Sequence, residues 1–256
     1  MSTALVTGVS AGIGRAVAAA LSGAGFHVIG AGRSESRTRP FVDEIAGTYL
    51  PLDLGSLESV RTAAATIDQR IDILVNNAGI AVGRGVTSEG FEIHFGVNHL
   101  GHFLLSSLLR RHLAGGRIVQ VTSALHQRAR GIAFGRMTRK TKGLYGYNEY
   151  AVSKLANILF VREAARRWPE IESVAVHPGM TDTAIWPRWV RPFILRNLIT
   201  PEQGGATVVW AATSPEIPSG SYLGNRSVWE PSPVASDDDL ARDLWEHSER
   251  WVALAT

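Results

Sequence analysis

Tyr150 and Lys154 stand four residues apart in Tyr150-Ala151-Val152-Ser153-Lys154, inside a stretch of helical period, so both side chains project from one face. A phenol beside an ammonium is suited to proton transfer. A lone pair of this kind is equally an amphipathic surface contact. Ser123 closes the apolar run Val119-Gln120-Val121-Thr122-Ser123, and Asn98 lies in Val97-Asn98-His99-Leu100-Gly101. Near the start, Thr7-Gly8-Val9-Ser10-Ala11-Gly12-Ile13-Gly14 follows a short apolar run and opens a helical segment. Glycines in that setting permit a tight turn, let backbone approach a pyrophosphate and allow a helix to pack closely on a strand, with its N-terminus facing the anion. This predicts Gly8, Ser10, Ala11, Gly12, Ile13 and Gly14 around a dinucleotide. The flanking strand and helix carry that reading, because a glycine-rich turn alone is only a turn.

The elements that must position these residues follow from hydrophobic period. Short apolar runs alternate with helical segments, the signature of stacked βαβ units around a parallel sheet. Strands are predicted near 3–7, 27–31, 48–52, 72–76, 117–122, 172–177 and 221–224, and helices over 14–22, 57–68, 91–112, 148–168 and 202–213. The expected fold is α/β: one Rossmann-type, doubly wound, parallel seven-stranded sheet with helices on both faces, a single domain over 1–256. Between Arg33 and Asp53 the chain reads as short for a full helix with its loops. In such a sheet ligands gather outside the carboxyl ends of the strands, which puts Ser123 on the same rim as the glycine turn.

Composition narrows the function classes. The chain has 256 residues, 45% hydrophobic and 19% charged, which suits one soluble globular domain. With 26 Lys+Arg against 23 Asp+Glu the formal charge is only +3, so no nucleic-acid partner is expected. Cysteine is absent, which excludes disulfides, thiolate metal sites and a Cys nucleophile. No apolar run reaches the roughly 18 residues of a membrane span, and no leader precedes the first motif, so a cytoplasmic protein without a membrane partner is expected. The excess of Arg over Lys suggests a GC-rich bacterial genome.

At the end of the second strand, where an enzyme using NAD usually carries an acid for the ribose 2′-hydroxyl, the sequence reads Gly30-Ala31-Gly32-Arg33-Ser34. A guanidinium there fits a 2′-phosphate, so NADP(H) is expected, with NADPH favoured over NADH. Asp53, with Leu54 after it, is placed to accept from the adenine amino group or, alternatively, to cap the helix from Ser56 onward.

Taken in order, the glycine turn, Asn76-Asn77-Ala78-Gly79, Asn98, Ser123, the Tyr150/Lys154 pair and His177-Pro178-Gly179 resemble the short-chain dehydrogenase/reductase family over nearly the whole chain. The chain is most similar to the retinol-dehydrogenase-like branch, through Gly90-Phe91-Glu92, the stretch Val97 to Phe103, the stretch Ser153 to Phe160 and the tail Leu244 to Arg250. The resemblance implies Tyr150 as general acid in reduction and base in oxidation, Ser123 on the substrate oxygen and Lys154 on the nicotinamide ribose. Asn98 would support a proton-relaying water. Asn77, Ala78 and Gly79 would line the cofactor cleft, with Pro178, Gly179, Thr181 and Thr183 at the nicotinamide amide. Bringing a phenol from about 10 to about 7 takes roughly 4 kcal/mol. One ammonium about 4 Å away at an effective dielectric near 20 contributes about that much, so Lys154 with an oxidised nicotinamide is expected to suffice without a metal.

The substrate is expected to be a bulky apolar ketone, aldehyde or secondary alcohol, acted on in bacterial secondary metabolism. Residues 180–200, with Trp186, Trp189, Phe193, Ile194, Leu195, Leu198 and Ile199, would cover it, or would pack on the body or another subunit. A second insert carries Arg128, Arg130, Arg136, Arg139, Lys140 and Lys142, which reads as a solvated face or as recognition of a carboxylate or phosphate. His99, His102, His126 and His177 show no metal-ligand pairing and read as structural. The helices near 91–112 and 148–168 imply, by resemblance, a homodimer or homotetramer. The alternatives are a redox-neutral enzyme of the same family, performing dehydration or epimerisation, and a non-catalytic NADP-binding sensor.

Overall fold

The computed structural model describes residues 1–142, 145–181 and 198–254. All seven predicted strands form within one residue of their expected ends: β1 (Thr3–Thr7), β2 (His27–Gly32), β3 (Thr48–Pro51), β4 (Ile73–Asn76), β5 (Arg117–Val121), β6 (Glu172–His177) and β7 (Tyr222–Gly224). They lie in the order β3-β2-β1-β4-β5-β6-β7 with every neighbouring pair parallel. An eighth strand, β8 (Ser227–Trp229), pairs antiparallel with β7 and corrects the expected count of seven. Its two-residue turn places Asn225 and Arg226 at φ of 48° and 56°, as the tight hairpin turn with two left-handed residues requires. All three residues of β8 are exposed, so no buried-face alternation marks it in the sequence.

Alternate residues of the central strands enter two cores. Leu5, Ile29, Leu74 and Ile118 pack on one face, and Ala4, Val6, Val28, Val75 and Val119 on the other. A sheet buried on both sides needs such continuous apolar strands. The second face is covered by α1 (Gly12–Gly23), α2 (Glu35–Glu44) and, after the last crossover, the helix Pro201–Thr213, which contribute Val17, Val42 and Val208. The first face is covered by α3 (Leu57–Ala65), α4, α5 (Tyr147–Arg167) and the C-terminal helix. Here α4 starts as Ile93–Phe95, passes through a π-helical turn at Gly96–Leu100 and continues as Gly101–Leu108. With α6 for Pro201–Thr213, the C-terminal helix Asp238–Leu254 is α7.

Two helices depart from expectation. The stretch between Arg33 and Asp53 does accommodate a helix, because α2 ends against β3 through only Ile45, Ala46 and Gly47, with Ala46 left-handed at φ 52°. Its low hydrophobicity and internal Pro40 hide it from pattern reading. The C-terminal helix α7 has no counterpart among the expected helices; Ala241, Leu244, Trp245 and Ser248 are buried along one stripe of it against α4 and α5. The α4 and α5 surfaces that resemblance assigns to subunit contact are thus packed in part by this chain's own helix. Among the described residues no helix is long and apolar enough to cross a membrane.

Candidate active site

The strand order reverses between β1 and β4, and at that switch point a cleft of about 970 Å³ opens along the carboxyl ends of the strands. Gly8, Ser10, Ala11, Gly12, Ile13, Gly14, Arg33, Asp53, Leu54, Asn77, Ala78, Gly79, Ser123, Tyr150, Lys154, Pro178, Gly179 and Thr181 all line it. Residues from opposite ends of the sequence therefore share one wall. Thr183 and residues 182–197 of the expected substrate cover lie outside the described residues.

The glycine turn is built for close approach. Gly8 and Gly12 are left-handed, at φ 76° and 62°. A Cβ on Gly14 would stand 2.4 Å from both the Gly8 carbonyl oxygen and Asn77 Nδ2. Asn77 braces the turn, its Nδ2 donating to the Thr7 carbonyl at 2.8 Å, while Thr7 Oγ1 accepts from the backbone N–H of Asn77 and Ala78 at 3.0 and 2.9 Å. Helix α1 opens at Ala11 with no side-chain cap and no acid in its first turn. By contrast α3 is capped by Ser56 and α6 by a reciprocal Thr200/Gln203 box. The first N–H groups of α1 consequently have no side chain competing for them and fit a bound pyrophosphate. Asp53 forms a turn of its own, its Oδ1 accepting from Gly55 N at 2.9 Å. The alternative of Asp53 as the helix cap is thereby removed, because Ser56 takes that position.

Around the phenol, geometry and burial set the proton chemistry. Tyr150 is 7% exposed, and the Ser123 hydroxyl is near enough to act on its phenol. Lys154 Nζ donates to the Val121 carbonyl at 3.0 Å and lies 5.5 Å from the centre of the Tyr150 ring. Burial pushes the Tyr150 phenol up to about 12, against the smaller opposing effect of Ser123, and pushes the Lys154 ammonium down to about 8. Without the oxidised nicotinamide that the expected shift also calls on, loss of solvation dominates the phenol. At neutral pH the pair is a phenol that still holds its proton beside a charged ammonium.

Asn98 does not line the cleft. Its side chain is fully buried behind it, with Oδ1 accepting from Ile80 N at 2.8 Å and Nδ2 donating to the Ile80 carbonyl and to Ser153 Oγ, both at 2.9 Å. Ser153 in turn donates to the Tyr150 carbonyl at 2.8 Å. Asn98 therefore ties the π-helical turn, the loop after β4 and the first turns of α5 together.

The sequence model of short chain dehydrogenases matches residues 2–191. The chain belongs to that family. A Streptomyces sp. (strain C5) protein named as a candidate daunorubicin C-13 ketoreductase, DnrU, is 36% identical over 96% of this chain and 91% of its own length. Human retinol dehydrogenase 14 is 38% identical, covering 98% of this chain and 86% of its own, which places this short-chain dehydrogenase in the retinol-dehydrogenase-like branch. A crystallised short chain dehydrogenase from Burkholderia cenocepacia J2315 in complex with NADP superposes with a TM-score of 0.73 at 27% identity, covering 92% of this chain and 98% of the other.

In this short-chain dehydrogenase, several contributors to the site gave little signal in sequence. Thr7 and Ser153 act through backbone partners, which no residue pattern displays. Arg37 lines the cleft beside Arg33 and Ser34 because α2 exists. The four histidines read as structural are buried, and desolvation drives His99 and His102 down to about 3 and His177 to about 4, so these three stay neutral. His102 spans Thr7 Oγ1 at 3.0 Å and the Asn98 carbonyl at 3.2 Å. The glycine cradle makes a direct prediction. Gly14→Ala forces its new methyl into the Gly8 carbonyl, and dinucleotide affinity, read by fluorescence titration, falls more than roughly tenfold. An unchanged affinity would show that the turn is not the binding element.

Proposed function

We propose that this short-chain dehydrogenase is an NADPH-dependent carbonyl reductase and alcohol dehydrogenase acting on a bulky apolar ketone, aldehyde or secondary alcohol. The observation that carries the reading is the convergence of Ser123, Tyr150 and Lys154 on the wall of the cleft that also holds the glycine turn. The dinucleotide, when bound, supplies or accepts the hydride; the protein's own task is to hold the carbonyl and deliver a proton. Ser123 and Tyr150 donate to the carbonyl oxygen, and Tyr150, neutral at physiological pH, gives up its proton as charge develops there. Lys154, charged below about 8, stabilises the phenolate left behind and would hold the ribose hydroxyls of a bound cofactor. Asn98 is a positioning residue in this scheme and holds α5 in register.

NADPH is favoured by the cations at the β2 end of the cleft. Arg33 and Arg37 are exposed and make no ion pair among the described residues, whereas neighbouring Arg39 is held by Glu35 at 2.7 Å and lies over the Tyr49 ring. Two free guanidiniums at that position suit a 2′-phosphate. Ile80, Val86, Ile93, Leu125, Tyr147 and Met180 give the cleft apolar surface that suits a bulky apolar substrate. The named substrate of the Streptomyces relative, daunorubicin, supports a setting in bacterial secondary metabolism, and both it and retinol support a large substrate.

Purified protein incubated with NADPH or NADH and a panel of aryl ketones, polycyclic ketones and long-chain aldehydes tests the proposal. Oxidation of NADPH coupled to alcohol formation is expected. Replacing both Arg33 and Arg37 with Ala raises the KM for NADPH by roughly 10- to 100-fold, the loss of charge-assisted phosphate contacts, with little change for NADH. Equal use of both nucleotides by the unaltered enzyme would sink the phosphate assignment.

A further inference from the structure

We propose that the substrate carries an anionic group, a carboxylate or a phosphate, held by Arg128 at the far end of the cleft from the cofactor's adenosine. The inference rests on the carbonyl-reducing site assigned above and adds the chemical class of what enters it. Between Ala124 and Tyr147 the chain has Arg128, Arg130, Arg136, Arg139, Lys140 and Lys142 and no Asp or Glu. That segment holds twice the chain's formal net charge of +3, so the remainder is net negative. All six side chains are exposed, and none makes an ion pair or side-chain hydrogen bond among the described residues. Cations elsewhere are commonly matched, as in Arg110 with Glu170, Arg117 with Glu172 and Arg162 with Asp238. A solvated face would be expected to interleave both signs.

Arg128 is the member of this group that lines the cleft. It ends the 3₁₀ helix Ala124–Arg128, which starts directly after Ser123. At about 2 Å of rise per residue, that places its backbone roughly 10 Å from Ser123. The spacing is held rigidly. His126 is fully buried, its Nδ1 bonding with the Ser123 carbonyl at 2.9 Å, its Nε2 accepting from Ser232 N at 3.2 Å, and its carbonyl accepting from Ala129 N at 3.0 Å. Leu125, Tyr147 and Met180 supply apolar wall in the same cleft. A ligand with its carbonyl at Ser123 and Tyr150, an apolar body and a distal anion matches this sequence of surfaces.

Arg128 does not serve the cofactor's 2′-phosphate. Three strand spacings, roughly 14 Å of sheet, separate β2 with Arg33 from β5 with Ser123. Among the described residues the one carboxylate that lines the cleft, Asp53, lies a further strand away and is engaged by Gly55 N. Among the described residues no acidic side chain lines the cleft at its Arg128 end, and the other five cations of the same segment add to the positive potential around it.

The test uses NADP-loaded protein and three probes that share one aryl ketone: 4-benzoylbenzoate, 4-benzoylphenyl phosphate and the neutral methyl 4-benzoylbenzoate. Calorimetry is expected to show at least one of the anions binding roughly tenfold tighter than the ester, and which one does so identifies the group. The advantage shrinks between roughly 0.01 and 1 M salt, as the screening length falls from about 30 to about 3 Å. Arg128→Gln brings the anion-to-ester ratio to near one, while Arg226→Gln, on the β7–β8 turn, leaves the ratio in place. Equal binding of acid, phosphate and ester by the unaltered protein, or a ratio that survives Arg128→Gln, overturns the inference and leaves the reductase reading standing. Preferential binding of an anion with no turnover of any probe by NADPH supports the anion site and counts against the reductase reading alone.

Discussion

Tyr150→Phe lowers kcat for carbonyl reduction by about 10³-fold while leaving the affinity for NADPH within about twofold. The substitution removes one hydroxyl from a ring that is 7% exposed and leaves the ring's packing unchanged. What it removes chemically is larger. Burial holds the phenol up to about 12, so at pH 7 it is a neutral acid whose proton moves only when an alkoxide forms in front of it. Without that proton the alkoxide must be quenched by water, and Ser123 alone remains as donor. Rate constants from stopped-flow NADPH oxidation, with nucleotide affinity measured separately, check the split between chemistry and binding. Undiminished biological activity in the Tyr150→Phe variant would hand the chain to the sensor alternative.

The same pair fixes a pH profile. Tyr150, held up to about 12, stays protonated through neutral and mildly alkaline pH, so it contributes no inflection there. Lys154 is pushed down to about 8 by burial; it is charged below that pH and neutral above it. Because the ammonium favours the developing phenolate, kcat/KM for reduction is level below about 7 and falls as pH rises through about 8. Lys154→Met removes that inflection along with most of the activity.

What could be read before folding was whatever depends on near neighbours in sequence. The glycine turn and the Tyr150/Lys154 spacing are local, and each strand of the central sheet carries its own apolar run; these were legible. Arg37 was not, because its place at the cleft follows from α2, whose pattern is blurred by Pro40 and an outward polar face. The π-helical turn that presents Asn98 differs from ordinary helix by one residue per turn and has no compositional mark, although such turns recur at functional sites. The burial that raises the Tyr150 phenol leaves no mark in sequence for a different reason. A Coulomb estimate from two residues counts attraction and omits the water that both groups lose, and that loss depends on α4 and β5 closing over them. Sequence spacing names the partners, and only the packed structure sets the balance between them.

Trp245→Ala is expected to cost about 3–5 kcal/mol of stability. Trp245 is 3% exposed and sits where α7 meets α4 and α5. It stacks parallel to Phe160 at 5.8 Å, meets Phe103 edge-on at 5.1 Å and Trp168 edge-on at 4.8 Å, and has the Arg167 guanidinium over its ring at 5.3 Å. Each aromatic pair adds about 0.5–1.5 kcal/mol beyond area burial, and a methyl group in its place leaves a cavity walled by stiff rings that cannot collapse inward. For a chain of this size the melting temperature falls by roughly 10 °C. Its indole Nε1 is buried with no partner among the described residues, so Trp245→Phe, which removes that orphan donor, costs clearly less than Trp245→Ala. Trp229→Ala on β8, where the ring is 39% exposed, shifts the melting temperature by only a few degrees. The site itself reports on how α7 is coupled to it: α7 touches the elements behind the cleft through α5, through the α4 rings Phe95 and Phe103, and through Ser248, which bonds with His99 at 2.9 Å beside Asn98. Below its melting temperature the Trp245→Ala enzyme therefore keeps kcat within a few-fold of the unaltered value. A collapse of kcat at full foldedness would mean that α7 sets the geometry of Tyr150 and Lys154 as well as the stability of the helices that carry them.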